Sequence, residues 1–136
     1  LAAPVTTSLG GKSAFPEDHP LALGSGGLAM RRGVRHFLDS ADVILGIGCS
    51  FTETNFGVKM PSGKKIIHAT LDPDHLGKDL PIDIGLVGDA GLTTEVLDQF
   101  GKLVGKCGGH GDSLQSGWMK DPRGRNKAQR RLWAKR

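Results

Sequence analysis

The run Gly10-Gly11-Lys12-Ser13-Ala14-Phe15-Pro16-Glu17-Asp18-His19-Pro20-Leu21-Ala22-Leu23-Gly24 places a cation, an aromatic ring and an imidazole at fixed spacing. Its glycines and prolines define a loop rather than a regular element. In such a loop His19, between Asp18 and Pro20, has two readings, a catalytic base or a ring that pins the loop by a hydrogen bond; pinning is favoured. Gly24-Ser25-Gly26-Gly27 lies ahead of a helical pattern, and free N–H groups with a helix dipole suit a phosphate there. The dinucleotide fingerprint needs glycines directly after a strand, and none is read here. A tight turn is therefore favoured over an anion site.

Three further positions carry the same double reading. Gly46-Ile47-Gly48-Cys49-Ser50, Asp72-Pro73 and Gly88-Asp89 each end an apolar run. Ligands of open α/β sheets bind beyond the carboxyl ends of strands, so Gly26, Gly27, Gly48, Ser50, Asp72 and Asp89 are candidate nucleotide-binding residues. Against this, Gly and Asp also simply turn a chain. His68 falls inside an apolar run and reads as a packed or edge histidine. Cys107-x-x-His110 looks like half a metal site without a second pair, and zinc needs more ligands. No nucleophile with its base can be argued, so no catalytic and no metal residue is assigned.

Short runs must position these residues. Pro4 to Thr7 reads as a strand, and the loop follows to Gly27. From Leu28 to Ser40, Met30, Val34, Phe37, Leu38 and Ala41 recur at helical spacing, opposite Arg31, Arg32, Arg35 and Asp39. Asp42 to Gly48 and Lys64 to Asp72 are continuous apolar runs of the kind buried on both faces, and Ile82 to Val87 is a third strand. A last helix is expected over Ala90 to Val104, packed through Leu92, Val96, Leu97, Phe100 and Val104. Strands alternating with helices imply parallel pairing and an α/β, Rossmann-like fold with helices on both faces of the sheet. The segment Asn55 to Gly63 is short for a crossover helix.

Composition bounds the class. A chain of 136 residues that is 38% hydrophobic supports a single core. Its 21 glycines are aperiodic, which fits a loop-rich globular protein. No run approaches the roughly 20 apolar residues of a membrane span. The first residues, Leu1-Ala2-Ala3-Pro4, are not a signal peptide and do not begin with Met, as expected of a fragment. Cys49 and Cys107 make no disulfide framework and fit a reducing, cytoplasmic setting. Residues 1–100 hold 8 Lys+Arg against 12 Asp+Glu, a balance of −4, whereas residues 101–136 hold 10 against 2, a balance of +8. From Gly105 the period is lost, and glycines followed by a basic run with Trp118 and Trp133 read as a linker. The domain is expected over residues 1–104 and the tail over 105–136.

The order Pro-Val-x-Thr, Gly-Lys-x-x-Phe-Pro-x-x-His-Pro-Leu-x-Leu-Gly, Ala41-Asp42 to Gly48, Thr70-Leu71-Asp72 and Val87-Gly88-Asp89-Ala90 resembles the central domain of thiamine diphosphate-dependent enzymes, the acetolactate synthase and 2-oxo acid decarboxylase superfamily. The likeness covers roughly Leu1 to Val104. It implies an earlier strand and helix ahead of Pro4, outer domains that carry thiamine diphosphate and Mg²⁺, oligomer contacts, and a non-catalytic, structural role for this domain. It also implies FAD or ADP as a ligand of the domain. The family's Gly-Met-His-Gly falls on Gly27-Leu28-Ala29-Met30, and its Arg-Phe-Asp-Asp-Arg falls on Ser50-Phe51-Thr52-Glu53-Thr54. Both arginines are lost, which argues against FAD. The alternatives are a free-standing nucleotide-binding module and a nucleic-acid-binding protein acting through its basic tail.

Overall fold

The computed structural model describes residues 3–26, 30–53 and 59–107. Residues 108–136 of the expected basic tail, Gly27 and Thr54 lie outside them. The elements run β1 (Val5–Thr7), β2 (Ala22–Ser25), α1 (Arg32–Ser40), β3 (Val43–Ile47), β4 (Lys65–Thr70), a 3₁₀ turn (Pro73–His75), β5 (Ile84–Val87) and α2 (Ala90–Cys107). Two sheets form, β1-β2 and β3-β4-β5, and every pairing is parallel. The α/β class expected from alternating strands and helices therefore holds.

β2 corrects the reading of residues 10–24 as loop throughout. Thr6 pairs with Gly24 and Thr7 with Ser25, and the Gly26 N–H donates to the Thr7 carbonyl at 2.7 Å. Gly26 thus does follow a strand directly. Backbone pairing to β1, joined by the Thr6 hydroxyl donating to the Gly24 carbonyl at 2.8 Å, overrides the weak local propensity of a Gly-Ser segment.

The apolar face of α1 seats Val34 and Leu38 against Leu23 of β2, with Met30, Phe37, Ile44 and Met60 around them. Val34 is fully buried. β4 lies between β3 and β5, which is why Ile66, His68 and Ala69 are buried. Residues 48–64 supply the crossover that a parallel β3–β4 pair requires, and those of them that are described form no helix.

α2 departs from expectation twice. It runs on through Gly105 to Cys107. Among its residues up to Leu103 it turns only Thr93 and Leu97 partly inward, while Leu92, Val96 and Phe100, expected to pack, stay 60% or more exposed, as does Leu103. Spacing shows that a helix face is apolar; it does not show that a neighbour is present to cover it. No helix among the described residues is long and apolar enough to cross a membrane.

Candidate functional site

Because β3, β4 and β5 are parallel, their carboxyl ends meet at one edge of the sheet, and the candidate residues gather there. Gly48 closes β3 with φ +63°, in the region that favours glycine, and its N–H donates to the Ala69 carbonyl at 2.9 Å. Gly88 closes β5 by donating to the Thr70 carbonyl at 2.9 Å. A Cβ on Gly48 would lie 3.8 Å from that of Ala90, so the first turn of α2 sits against the end of β3. Gly48, Asp89 and the start of α2 are therefore brought together.

The acidic groups at this edge are already engaged. Asp89 Oδ1 accepts the Leu92 N–H at 3.0 Å, and its carbonyl accepts the Thr93 N–H, so Asp89 caps α2. Asp72 Oδ1 accepts the Asp74 N–H at 2.9 Å and its other oxygen lies 3.7 Å from His75 Nε2, which makes it the cap of the 3₁₀ turn. Ser50 Oγ accepts from the Thr52 hydroxyl at 2.8 Å and from the Thr52 N–H at 3.3 Å. Among the described residues, no hydrogen bond ties Gly26, Ser50 or Asp72 to the Gly48–Asp89 pair.

Beneath the end of β3 lies a cluster that spacing could not show. Phe51, at φ +49°, folds its ring back over Gly46 and edge-on to His68, with centroids 4.9 Å apart. A Cβ on Gly46 would run into that ring and lie 2.8 Å from Cys49 Sγ, so only glycine fits. His68 is fully buried; its Nε2 is 2.7 Å from the Cys49 carbonyl, and its Nδ1 has no hydrogen-bond partner among the described residues. The expected packed histidine is thus found, with the role of holding the Cys49–Phe51 turn. Burial pushes the Cys49 thiol pKa up, against smaller lowering by backbone hydrogen bonds from Phe51 and Cys49 itself. A partly buried thiol with a raised pKa is not an activated nucleophile. The signal in the sequence was Gly46-x-Gly48, although nothing there pointed to Phe51.

The loop carrying Lys12, Phe15 and His19 is braced rather than poised. His19 Nδ1 accepts the Leu21 N–H at 3.1 Å, and its ring meets Phe15 edge-on at 5.0 Å. Lys12 and Glu17 approach to 4.0 Å on the exposed surface. Phe15 and Glu17 border a recess of about 10 Å³ with Val5, Thr7, Ala22 and Gly24, room for one water at most. No three His, Cys, Asp or Glu side chains among the described residues converge to hold a metal ion. His19, Ser50, Asp72 and Asp89 thus each hold a local structural hydrogen bond.

The sequence comparisons decide what kind of domain this is. Residues 1–99 match the family model described as "Thiamine pyrophosphate enzyme, central domain". The chain belongs to this family. It is 38% identical to a probable acetolactate synthase large subunit of Methanococcus aeolicus, over 76% of the chain and 18% of that protein. It is 43% identical to the probable acetolactate synthase large subunit of Methanocaldococcus jannaschii, over 64% of the chain and 15% of the relative. Glyoxylate carboligase of Escherichia coli O157:H7 is 35% identical over 77% of the chain and 18% of its own length. The central domain thus spans less than a fifth of each of these relatives.

Proposed function

We propose that the chain is the central domain of a larger thiamine diphosphate-dependent, acetolactate synthase-like enzyme that decarboxylates or ligates 2-oxo acids. The observation that carries this reading is the family match across residues 1–99. The domain spans residues 1–104, and 105–136 is the connector toward a following domain. Its work is structural: it holds the outer domains, which carry thiamine diphosphate and Mg²⁺, and contributes to a homo-oligomer in the cytoplasm. Thiamine diphosphate would supply the carbanion-stabilising chemistry there. The described residues do not fit the magnesium diphosphate, so no step passes through them.

FAD is not held tightly. Ser50 is already bonded to Thr52, and Asp72 and Asp89 put negative charge at the strand ends that a nucleotide's phosphates would approach. Serine also lacks the charged fork of an arginine. The reading as a free-standing nucleotide module has no further support, nor does nucleic-acid binding.

Purified chain incubated with thiamine diphosphate, Mg²⁺ and pyruvate should release no carbon dioxide and form no acetolactate. Turnover by the chain alone would overturn the non-catalytic assignment. FAD titrated into the protein should leave its flavin fluorescence unquenched at micromolar concentration; a yellow protein on purification would contradict this.

A further inference from the structure

α2 presents an apolar stripe that no described residue covers. Leu92, Val96, Phe100 and Leu103 recur three and four residues apart, so they line one side of the helix over roughly 17 Å. A contiguous exposed apolar surface of this kind marks a docking face.

Charge says what fits it. Residues 72–98, which lead into α2 and include most of its stripe, hold 7 Asp+Glu against 1 Lys+Arg, a balance of −6. Residues 108–136 hold 8 Lys+Arg against 2 Asp+Glu, a balance of +6. Within α2, Lys102 pairs with Asp98 at 2.6 Å. Glu95, three residues on from Leu92, stands exposed at the edge of the stripe, and among the described residues no cation pairs with it.

We infer that the basic segment 108–136 of the same chain folds back along α2 and covers this stripe, with Trp118 as its anchor. The segment follows α2 directly, and Gly108-Gly109-His110-Gly111 has the length that reverses a chain between antiparallel helices. Leu114 and Trp118, four residues apart, then share one side and meet Phe100 and Leu103. Lys120, Arg123 and Arg125 follow toward Glu95 and the acidic start of the helix. Docking removes apolar surface from water, and the tether spares the segment the cost of finding its partner. A second copy is a poorer occupant, because a two-fold contact through this stripe would set the acidic stretch of one protomer against that of the other. The inference goes beyond the structural role proposed above and rests on no thiamine chemistry; a connector to a following domain would depart from this docked start.

Indole fluorescence tests it. Trp118 and Trp133 are the chain's two tryptophans and there is no tyrosine, so the signal reports on this segment alone. In the full chain carrying Trp133→Phe, the Trp118 emission should be blue-shifted and resist acrylamide, and urea should abolish both effects. Adding Val96→Ser and Phe100→Ser should abolish the blue shift while the amide signals of β3 and β4 stay in place. In the unsubstituted chain, nuclear Overhauser contacts should join the Trp118 ring to the Leu103 methyls or the Phe100 ring, a readout independent of any variant. Solvent-like emission in native buffer would overturn the inference, as would a blue shift that survives the two serine substitutions. A shift that vanishes on dilution would overturn it too, and would assign the stripe to a second copy. If the serine variant loses its β3 and β4 signals, the Overhauser contacts decide, and their absence overturns the inference. The turnover assay tests the catalytic reading separately.

Discussion

Gly46 shows how one missing side chain permits a whole cluster. Its bare Cα lets the Phe51 ring lie between β3 and His68. Gly46→Ala should therefore destabilise the protein by about 1–3 kcal/mol, the usual cost of forcing a methyl into a packed site. Thermal melts should show the loss, and a Gly46→Ala, Phe51→Leu pair should recover part of it. Cys49 gives a test by pH. Its thiol pKa is raised on folding, so the folded state binds a proton more firmly than the unfolded state does. The associated stability is present below the ordinary thiol pKa and falls as pH rises through and above it. Urea melts should show this decline in the alkaline range, and Cys49→Ser should flatten it. Maleimide labelling of Cys49 should also be slow at neutral pH. At this scale His68 and His19 were legible, since a histidine inside an apolar run or between Asp and Pro has few other uses. The Cys49–Phe51 turn was not, because a positive φ at Phe51 leaves no mark on local spacing.

The elements depend on caps and on one small core. Asp89→Ala should remove the α2 cap and cost about 1 kcal/mol, while Asp89→Asn should lose little because an amide oxygen can accept the same N–H. Equal damage from both variants would mean that the charge, not the cap, is what matters. Val34→Ala in the core of α1 should cost about 2 kcal/mol and lower the melting temperature with no new ligand affinity. Strands β3 and β4 were readable because each is an apolar run bounded by Asp, Gly or Pro, and α1 because one face alone is apolar. β2 was not. Ala22-Leu23-Gly24-Ser25 has little strand propensity of its own and becomes a strand only by pairing with β1. The stripe of Leu92, Val96, Phe100 and Leu103 was legible as an apolar face, but its exposure depends on what neighbours it, which no periodicity encodes.

At the scale of the whole molecule, family membership was legible through the order of motifs and not through any reacting group. Gly48, Asp72 and Asp89 fall at the strand ends as expected, yet the two carboxylates there serve as caps. On the reading proposed above, catalysis lies outside this chain and the domain supports it. The most direct test is a domain exchange: residues 1–99 of this chain replace the corresponding segment in the Methanocaldococcus jannaschii relative, which is 43% identical over 89 residues. If the domain only supports, the chimera should fold and convert pyruvate to acetolactate within about tenfold of the parent, a barrier change of about 1.4 kcal/mol. A chimera that folds and assembles like its parent but has lost turnover would contradict the account.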